Sequence, residues 1–252
     1  MTNYIPSAYW EQHLRRRQGL LGTGHRQFSL DYNIKMYEAA AANLEAALNN
    51  SNTPIQGRSI LDVGCGFGYY VDRFLRLGAQ TVTGVDLTQV AVQHLEQAFP
   101  DQRFYQADIS DAGWTTNDRF DLVSAISMIF HIVDRKRFSS ALANLCSQVK
   151  PHGRLLIVDA FQPYTWPTAA HVRLRDLTTY APFLDQEGFE IIGLYPMHRW
   201  MGQSYIPLVG PVLFSQKPVL DFLFHRERLL GTSTRRQLGW LNILIAQRTG
   251  LS

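Results

Sequence analysis

The residues best suited to chemistry lie in one run, Leu61-Asp62-Val63-Gly64-Cys65-Gly66-Phe67-Gly68. An apolar stretch over 59–63 leads into three glycines at alternate positions, and a helical stretch follows. Glycine is needed where the backbone takes unusual angles or a ligand approaches the main chain closely. The helix that follows points its amide-rich end into the same crevice. In open α/β sheets this is where nucleotide-like ligands lie. The spacing is G-x-G-x-G rather than the G-x-G-x-x-G of dinucleotide sites. Asp62 stands just before the glycines, where a carboxylate repels a pyrophosphate and favours an ammonium or sulfonium.

Two more carboxylates repeat the placement. Asp86 ends the β-like run VTGVD, 18 residues after Gly68, and Asp108 follows the run RFYQ. A carboxylate at the first position can accept from both hydroxyls of a ribose, and one at the second from the exocyclic amine of adenine. A single acid at a strand end has an ordinary explanation as a solvated loop residue or helix cap. Three, at the ends of successive strands, converge on one crevice.

The elements that position these residues follow from periodicity. Residues 7–17 and 31–50 read as helices, the second rich in alanine, with a glycine-containing loop between them. From residue 59, β-branched runs at 59–63, 81–85, 103–106, 120–126, 154–159, 189–195 and 242–248 alternate with helical stretches at 71–77, 89–99, 134–149 and 174–188. Pro151-His152-Gly153 reads as the turn into the fifth run. Alternation at these intervals implies a parallel α/β sheet with right-handed crossovers. Residues 198–241 break the alternation with a long aromatic-rich insertion holding Trp200, Tyr205, Phe214 and Trp240, which requires a role or a structure of its own.

These pieces resemble the class I S-adenosylmethionine-dependent methyltransferase superfamily. The matching segments are ILDVGCGFG, VTGVDLT, FYQADIS, FDLVSAISMIFHIVD and QVKPHGRLLIVDAF, covering about two fifths of the chain. The resemblance implies an α/β, Rossmann-like seven-stranded sheet, mostly parallel with an antiparallel last strand and helices on both faces. Residues 1–50 would form an N-terminal helical cap and 51–252 the methyltransferase domain. The cofactor implied is S-adenosylmethionine, with S-adenosylhomocysteine as product and no metal. By the match, Asp62, Gly64, Cys65 and Gly66 would hold the methionine part and Asp86 the ribose. Asp108 would hold the adenine, Leu87 and Ile109 would sandwich it, and Ala125 would meet the cofactor through its backbone. The chain has SMIF at 127–130, where the family often carries Glu or another polar residue. That departure points to an apolar acceptor.

Methyl transfer to a hydroxyl calls for a general base. His131, just past the fourth strand, leads, with His25 in Gly24-His25-Arg26 as its rival and His198 and Asp159 as further candidates. Tyr9, Trp10, His198 and Trp200 are candidate acceptor contacts, and Arg26 could meet an anionic group. The small-molecule O-methyltransferase reading competes with N- or C-methylation, and with a protein that no longer transfers methyl groups.

Composition narrows the partners. The net charge is +3, from 24 basic and 21 acidic residues, without the clustered basic face that nucleic acid requires. Arg15-Arg16-Arg17 reads as a solvated helix face. Cys65 and Cys146 have no zinc spacing and make no disulfide framework, which suits a cytoplasmic location. The first 17 residues lack a continuous apolar stretch for a signal peptide. The apolar 205–214 is too short to span a bilayer. Residues 218–230 read as an amphipathic helix, a candidate face for a homodimer or a membrane surface.

Overall fold

The computed structural model describes residues 4–163, 169–201, 212, 216–229 and 238–250. Seven strands form one sheet: β1 (Ser59–Val63), β2 (Thr81–Asp86), β3 (Arg103–Gln106), β4 (Phe120–Ala125), β5 (Val149–Asp159), β6 (Phe189–His198) and β7 (Leu241–Arg248). Their order is β3-β2-β1-β4-β5-β7-β6. Neighbours from β3 to β5 run parallel, and β7 runs antiparallel to both β5 and β6. This is the sheet the sequence implied, six strands one way and β7 the other. The order reverses between β1 and β4, which opens a crevice at their carboxyl ends.

The central strands are covered on both faces, so their sequences are nearly continuous in apolar residues. Ile60, Leu61, Leu122, Val123, Leu155, Leu156 and the β7 run Ile243–Ala246 are buried. One face packs against α3 (Leu30–Asn50), α4 (Tyr69–Arg76) and α5 (Gln89–Ala98) through Leu44, Phe74 and Leu95. The other packs against α6 (Arg135–Ser147) and α7 (Leu177–Gln186) through Leu142, Leu145 and Leu184. Small residues let α3 approach closely: Ala39, Ala40, Ala41 and Ala47 are all buried. Its start is fixed by Ser29, whose hydroxyl accepts the Tyr32 N–H at 3.2 Å. Asp134 caps α6 in the same way, accepting from Arg137 N–H at 2.8 Å.

Three boundaries differ from the periodicity. The stretch between the first two helices, read as loop, contains α2 (Leu20–Thr23) after α1 (Pro6–Arg16). Strand β5 starts at Val149, and the 151–153 turn becomes an irregularity inside it, with the register slipping between Phe120 and Leu122 and His152 at φ +60°. Helix α7 begins at Leu177 instead of 174, because the chain before it is tied to the loop after β4. Arg173 N–H donates to the Phe130 carbonyl at 2.7 Å. Arg175 Nη2 donates to the Ile132 carbonyl at 2.6 Å, with its guanidinium 3.7 Å over the Phe138 ring.

Helix α8 (Lys217–Arg228) falls in the segment read as amphipathic. Its inner side lies on α3, where Leu220 packs with Tyr32 and Met36 and Asp221 pairs with Lys35 at 2.9 Å. Leu230, together with Tyr205, Pro207, Pro211 and Phe214, lies outside the described residues. No described helix is long and apolar enough to cross a membrane.

Candidate functional site

A cavity of about 1040 Å³ opens over the carboxyl ends of the strands, beneath α1, α2 and the start of α3. The glycine turn forms its floor. Gly64, Gly66 and Gly68 all have positive φ, at +73°, +53° and +85°, a region that L side chains rarely adopt. Space is also short. A Cβ on Gly64 would come within 2.6 Å of Met128, and one on Gly66 within 2.8 Å of Thr23. The turn is therefore enclosed by the loop after β4 on one side and by the end of α2 on the other.

The three carboxylates differ in environment. Asp62 is 2% exposed, does not line the cavity, and accepts a hydrogen bond from Ser124 Oγ at 2.7 Å. Burial pushes its carboxyl from 3.8 up to about 7; the Ser124 bond opposes this and the nearby Asp86 charge adds to it. Asp86 lines the cavity and anchors the turn: Oδ2 accepts Gly66 N–H at 2.9 Å, and Oδ1 accepts the Thr88 N–H at 2.9 Å and hydroxyl at 2.7 Å. Of about four acceptor positions on a carboxylate, one is left on Oδ2. Burial raises the Asp86 carboxyl as well, against those bonds. Asp108 follows the same scheme. Its Oδ1 accepts twice from Ser110, and its Oδ2 is paired with Arg137 at 2.5 Å. Leu87 and Ile109 line the cavity beside these acids, whereas Ala125 is buried in the sheet against Ile157 and the cavity wall starts at Ile126.

Helix α1 and the loops after β4 and β5 bring aromatic rings and imidazoles together on the wall. Trp10 meets His131 edge-on with ring centres 4.7 Å apart. Tyr9 lies 4.9 Å from His171 and stacks on His13 at 6.0 Å. His131 Nδ1 is 3.0 Å from the His171 carbonyl oxygen. A carbonyl can only accept, so the proton sits on Nδ1 and Nε2 carries the lone pair. Burial holds the His131 imidazole down at about 4, and it is neutral throughout the neutral range. His25 is also held down at about 4, by burial and then by Arg26. It lies 4.5 Å from Phe28, and Asn33 Oδ1 accepts its backbone N–H at 2.6 Å.

On the far wall the cavity meets His198 and Trp240, whose rings stack at 6.3 Å. His198 Nδ1 is 3.4 Å from Oε1 of Glu227 on α8. The fully buried Glu227 carboxylate accepts backbone N–H groups of Arg199, Trp200 and Met201. Trp200 does not line the cavity; the guanidinium groups of Arg199 and Arg226 lie 5.5 and 5.4 Å from its ring centre. Asp159 does not line it either: Tyr180 Oη–H donates to it at 2.5 Å and the backbone of Ala160 and Arg175 adds to this. Sequence reasoning missed Glu227, His171, His13, Arg137 and the placement of Trp240. Their assembly depends on contacts between distant segments, and no local spacing announces it. Among the described residues, no group of three or more His, Cys, Asp or Glu could hold a metal ion.

The strand order, the antiparallel β7 and the glycine turn flanked by strand-end carboxylates define the Rossmann-like methyltransferase fold. Residues 60–153 match the family model described as a methyltransferase domain, and the fold is that of the class I S-adenosylmethionine-dependent methyltransferases. The chain is similar to a ubiquinone biosynthesis O-methyltransferase of Paracidovorax citrulli, 39% identical over 105 residues. That match covers 40% of this chain and 42% of the relative, so the alignment spans less than half of the relative's length. A dTDP-3-amino-3,4,6-trideoxy-alpha-D-glucopyranose N,N-dimethyltransferase of Streptomyces venezuelae is 29% identical over 58% of this chain and 62% of its own. In fold, the chain resembles a magnesium protoporphyrin IX methyltransferase from Synechocystis PCC 6803 solved with bound S-adenosylmethionine. The TM-score is 0.61 at 16% identity, covering 99% of this chain and 100% of that one.

Proposed function

We propose that the chain transfers a methyl group from S-adenosylmethionine to a small-molecule acceptor, at a hydroxyl. The observation that carries this is the continuity of one cavity from the glycine turn and the strand-end acids to the wall of aromatic rings and imidazoles. Its volume of about 1040 Å³ reaches the top of the roughly 300–1,000 Å³ range of single-ligand sites, which leaves room for cofactor and acceptor together.

The residues present fit the cofactor. The turn at Gly64, Cys65 and Gly66 holds the methionine end close to the main chain, and the buried Asp62 lies beneath it as the counter-charge. Asp86 takes a ribose hydroxyl on the acceptor position left on Oδ2. Asp108 takes the adenine amine in the same way, and Leu87 and Ile109 hold the ring. When bound, S-adenosylmethionine supplies an electrophilic methyl on a sulfonium whose departure as S-adenosylhomocysteine needs no protein group. What the protein contributes is orientation and a place for the proton. Alignment of the acceptor atom with the methyl can be worth up to about 7–11 kcal/mol. Tyr9 and Trp10 enclose the acceptor, and His131 Nε2 accepts its hydroxyl proton as the new bond to carbon forms. His25, with the same depressed basicity, is the reserve candidate for that step. The site is proposed to work without a metal.

Incubation with S-adenosylmethionine and a panel of phenols and amino sugars, read by mass spectrometry, tests the reaction. The expected product is a hydroxylated aromatic gaining one methyl on oxygen. Methylation confined to amines, as the name of the Streptomyces relative suggests for that protein, would move the assignment to nitrogen. A protein that binds the cofactor yet methylates nothing on either list, even slowly, would contradict the reading.

A further inference from the structure

Among the imidazoles that line the cavity, His131 and His198 stand at two separated places with an apolar and aromatic stretch of wall between them. His131 lies just past β4, and His198 ends β6. The sheet order places β4, β5, β7 and β6 side by side. Three spacings of about 4.8 Å separate the carboxyl ends of β4 and β6, a span of roughly 14 Å. Between them the wall is Ile126, Phe130, Val172, Leu174, Trp240 and Leu241, most of which share the core cluster on the α3 side of the sheet.

The His198 end is built with care for a residue at a sheet edge. The ring is flanked by Trp240 and is almost wholly buried, and Nδ1 faces a carboxylate that has no exposed surface. Glu227 is itself fixed. Three successive backbone N–H groups donate to it, and Asn43 Nδ2 on α3 ties its backbone carbonyl and that of Met197 together at 3.1 and 3.0 Å. With Nδ1 turned to the carboxylate, the opposite edge of the imidazole, with Nε2, is the one left for the cavity. Nδ1 makes no hydrogen bond among the described residues, but the carboxylate 3.4 Å from it favours the proton on that nitrogen electrostatically. Such a ring can accept a hydrogen bond on Nε2 from a ligand hydroxyl. A buried polar group that a ligand must satisfy discriminates strongly against analogues lacking the matching group.

We infer that the acceptor is an elongated, mainly apolar molecule with a hydrogen-bonding group at each end, one methylated beside His131 and the other held by His198 with Glu227 as its positioning residue. This rests on the methyl-transfer reading, and it adds a length and a second polar group that a simple phenol does not have.

The test uses the full chain saturated with S-adenosylhomocysteine. Two rigid probes are titrated in by calorimetry: para,para′-biphenol, with a hydroxyl at each end, and para-phenylphenol, with one. The wild type is expected to bind the two-ended probe at least tenfold more tightly. His198→Leu should abolish that preference by weakening only the two-ended probe, and His198→Gln, which keeps an acceptor, should restore part of it. S-adenosylhomocysteine affinity should be the same in all three proteins, which separates a lost subsite from a misfolded chain. Equal affinity of the wild type for both probes, no binding of either to the saturated protein, or an equal loss of both in His198→Leu, would each overturn the inference. Failure of S-adenosylhomocysteine itself to bind would instead remove the methyl-transfer reading on which it rests.

Discussion

Replacing Asp62 with Asn should make the empty protein more stable at pH 8 and at the same time weaken its hold on S-adenosylmethionine. The carboxyl is buried in β1 with Ser124 as its donor and Asp86 nearby, and its ordinary value of 3.8 is raised to about 7. A group raised in this way keeps its proton in the folded state when the unfolded chain has already lost it. Its contribution is therefore favourable at low pH, declines as pH rises from about 4, and is a full penalty above about 7. The displacement corresponds to at most roughly 4 kcal/mol, and relaxation around the site reduces that. Asn keeps an acceptor for Ser124 Oγ and removes the charge. The expected gain is about 1–3 kcal/mol at pH 8, shrinking as pH falls below about 7 and vanishing below about pH 4, read as a shift in denaturation midpoint. The cofactor brings an ammonium and a sulfonium to the turn above, and in its presence the buried charge becomes favourable. Affinity should fall at least tenfold in the variant at pH 8, and wild-type affinity should itself weaken as pH drops below about 7. An Asn variant that loses stability at pH 8 but binds as well as wild type would show that Asp62 is a structural residue alone.

His131 is expected to carry the largest catalytic effect. With Nδ1–H donated to the His171 carbonyl, Nε2 is free to take a proton, and a positioned base is worth about 10²–10⁴ in rate. Removing the ring would also leave a hole beside Trp10, so His131→Gln is the sharper change: its amide can still donate to His171 but cannot take a proton. The turnover number should fall by about 10² or more while cofactor affinity and acceptor KM change little. Because burial holds the imidazole at about 4, it is already unprotonated across the neutral range. The rate profile of the wild type against pH should then show no loss attributable to His131 between pH 6 and 8. Full activity in the Gln variant would exclude His131 as the base and favour an acceptor that needs none.

How much of this could be read from the chain depends on what each feature requires. The glycine turn, Asp62, Asp86 and Asp108 are legible because each is fixed by local backbone need or by the end of a strand, and strands show as β-branched runs. The β7 run 243–246 is legible for the same reason. The acceptor side is not. Trp240 reaches the cavity and Trp200 does not, although both lie in the same aromatic-rich segment. The difference is set by Glu227, which captures the backbone of 199–201 from a helix some 27 residues away. The start of α7 moved for a comparable reason: Arg173 and Arg175 are tied to the loop after β4, and no propensity scale records that. Asp159, a candidate base by its place at a strand end, is occupied by Tyr180, a contact visible only once α7 lies on the sheet.

The crevice over the glycine turn is expected to bind S-adenosylmethionine. Calorimetric titration of the wild-type protein with S-adenosylmethionine and S-adenosylhomocysteine, beside an Asp86→Ala variant, tests it most directly. The prediction is saturable one-to-one binding of both ligands by the wild type. In the variant it should be weakened by about 10²-fold, the loss of a charge-assisted ribose contact together with the Gly66 anchor that Asp86 provides. No heat from either ligand with a folded wild-type protein, or equal binding by wild type and variant, would contradict it.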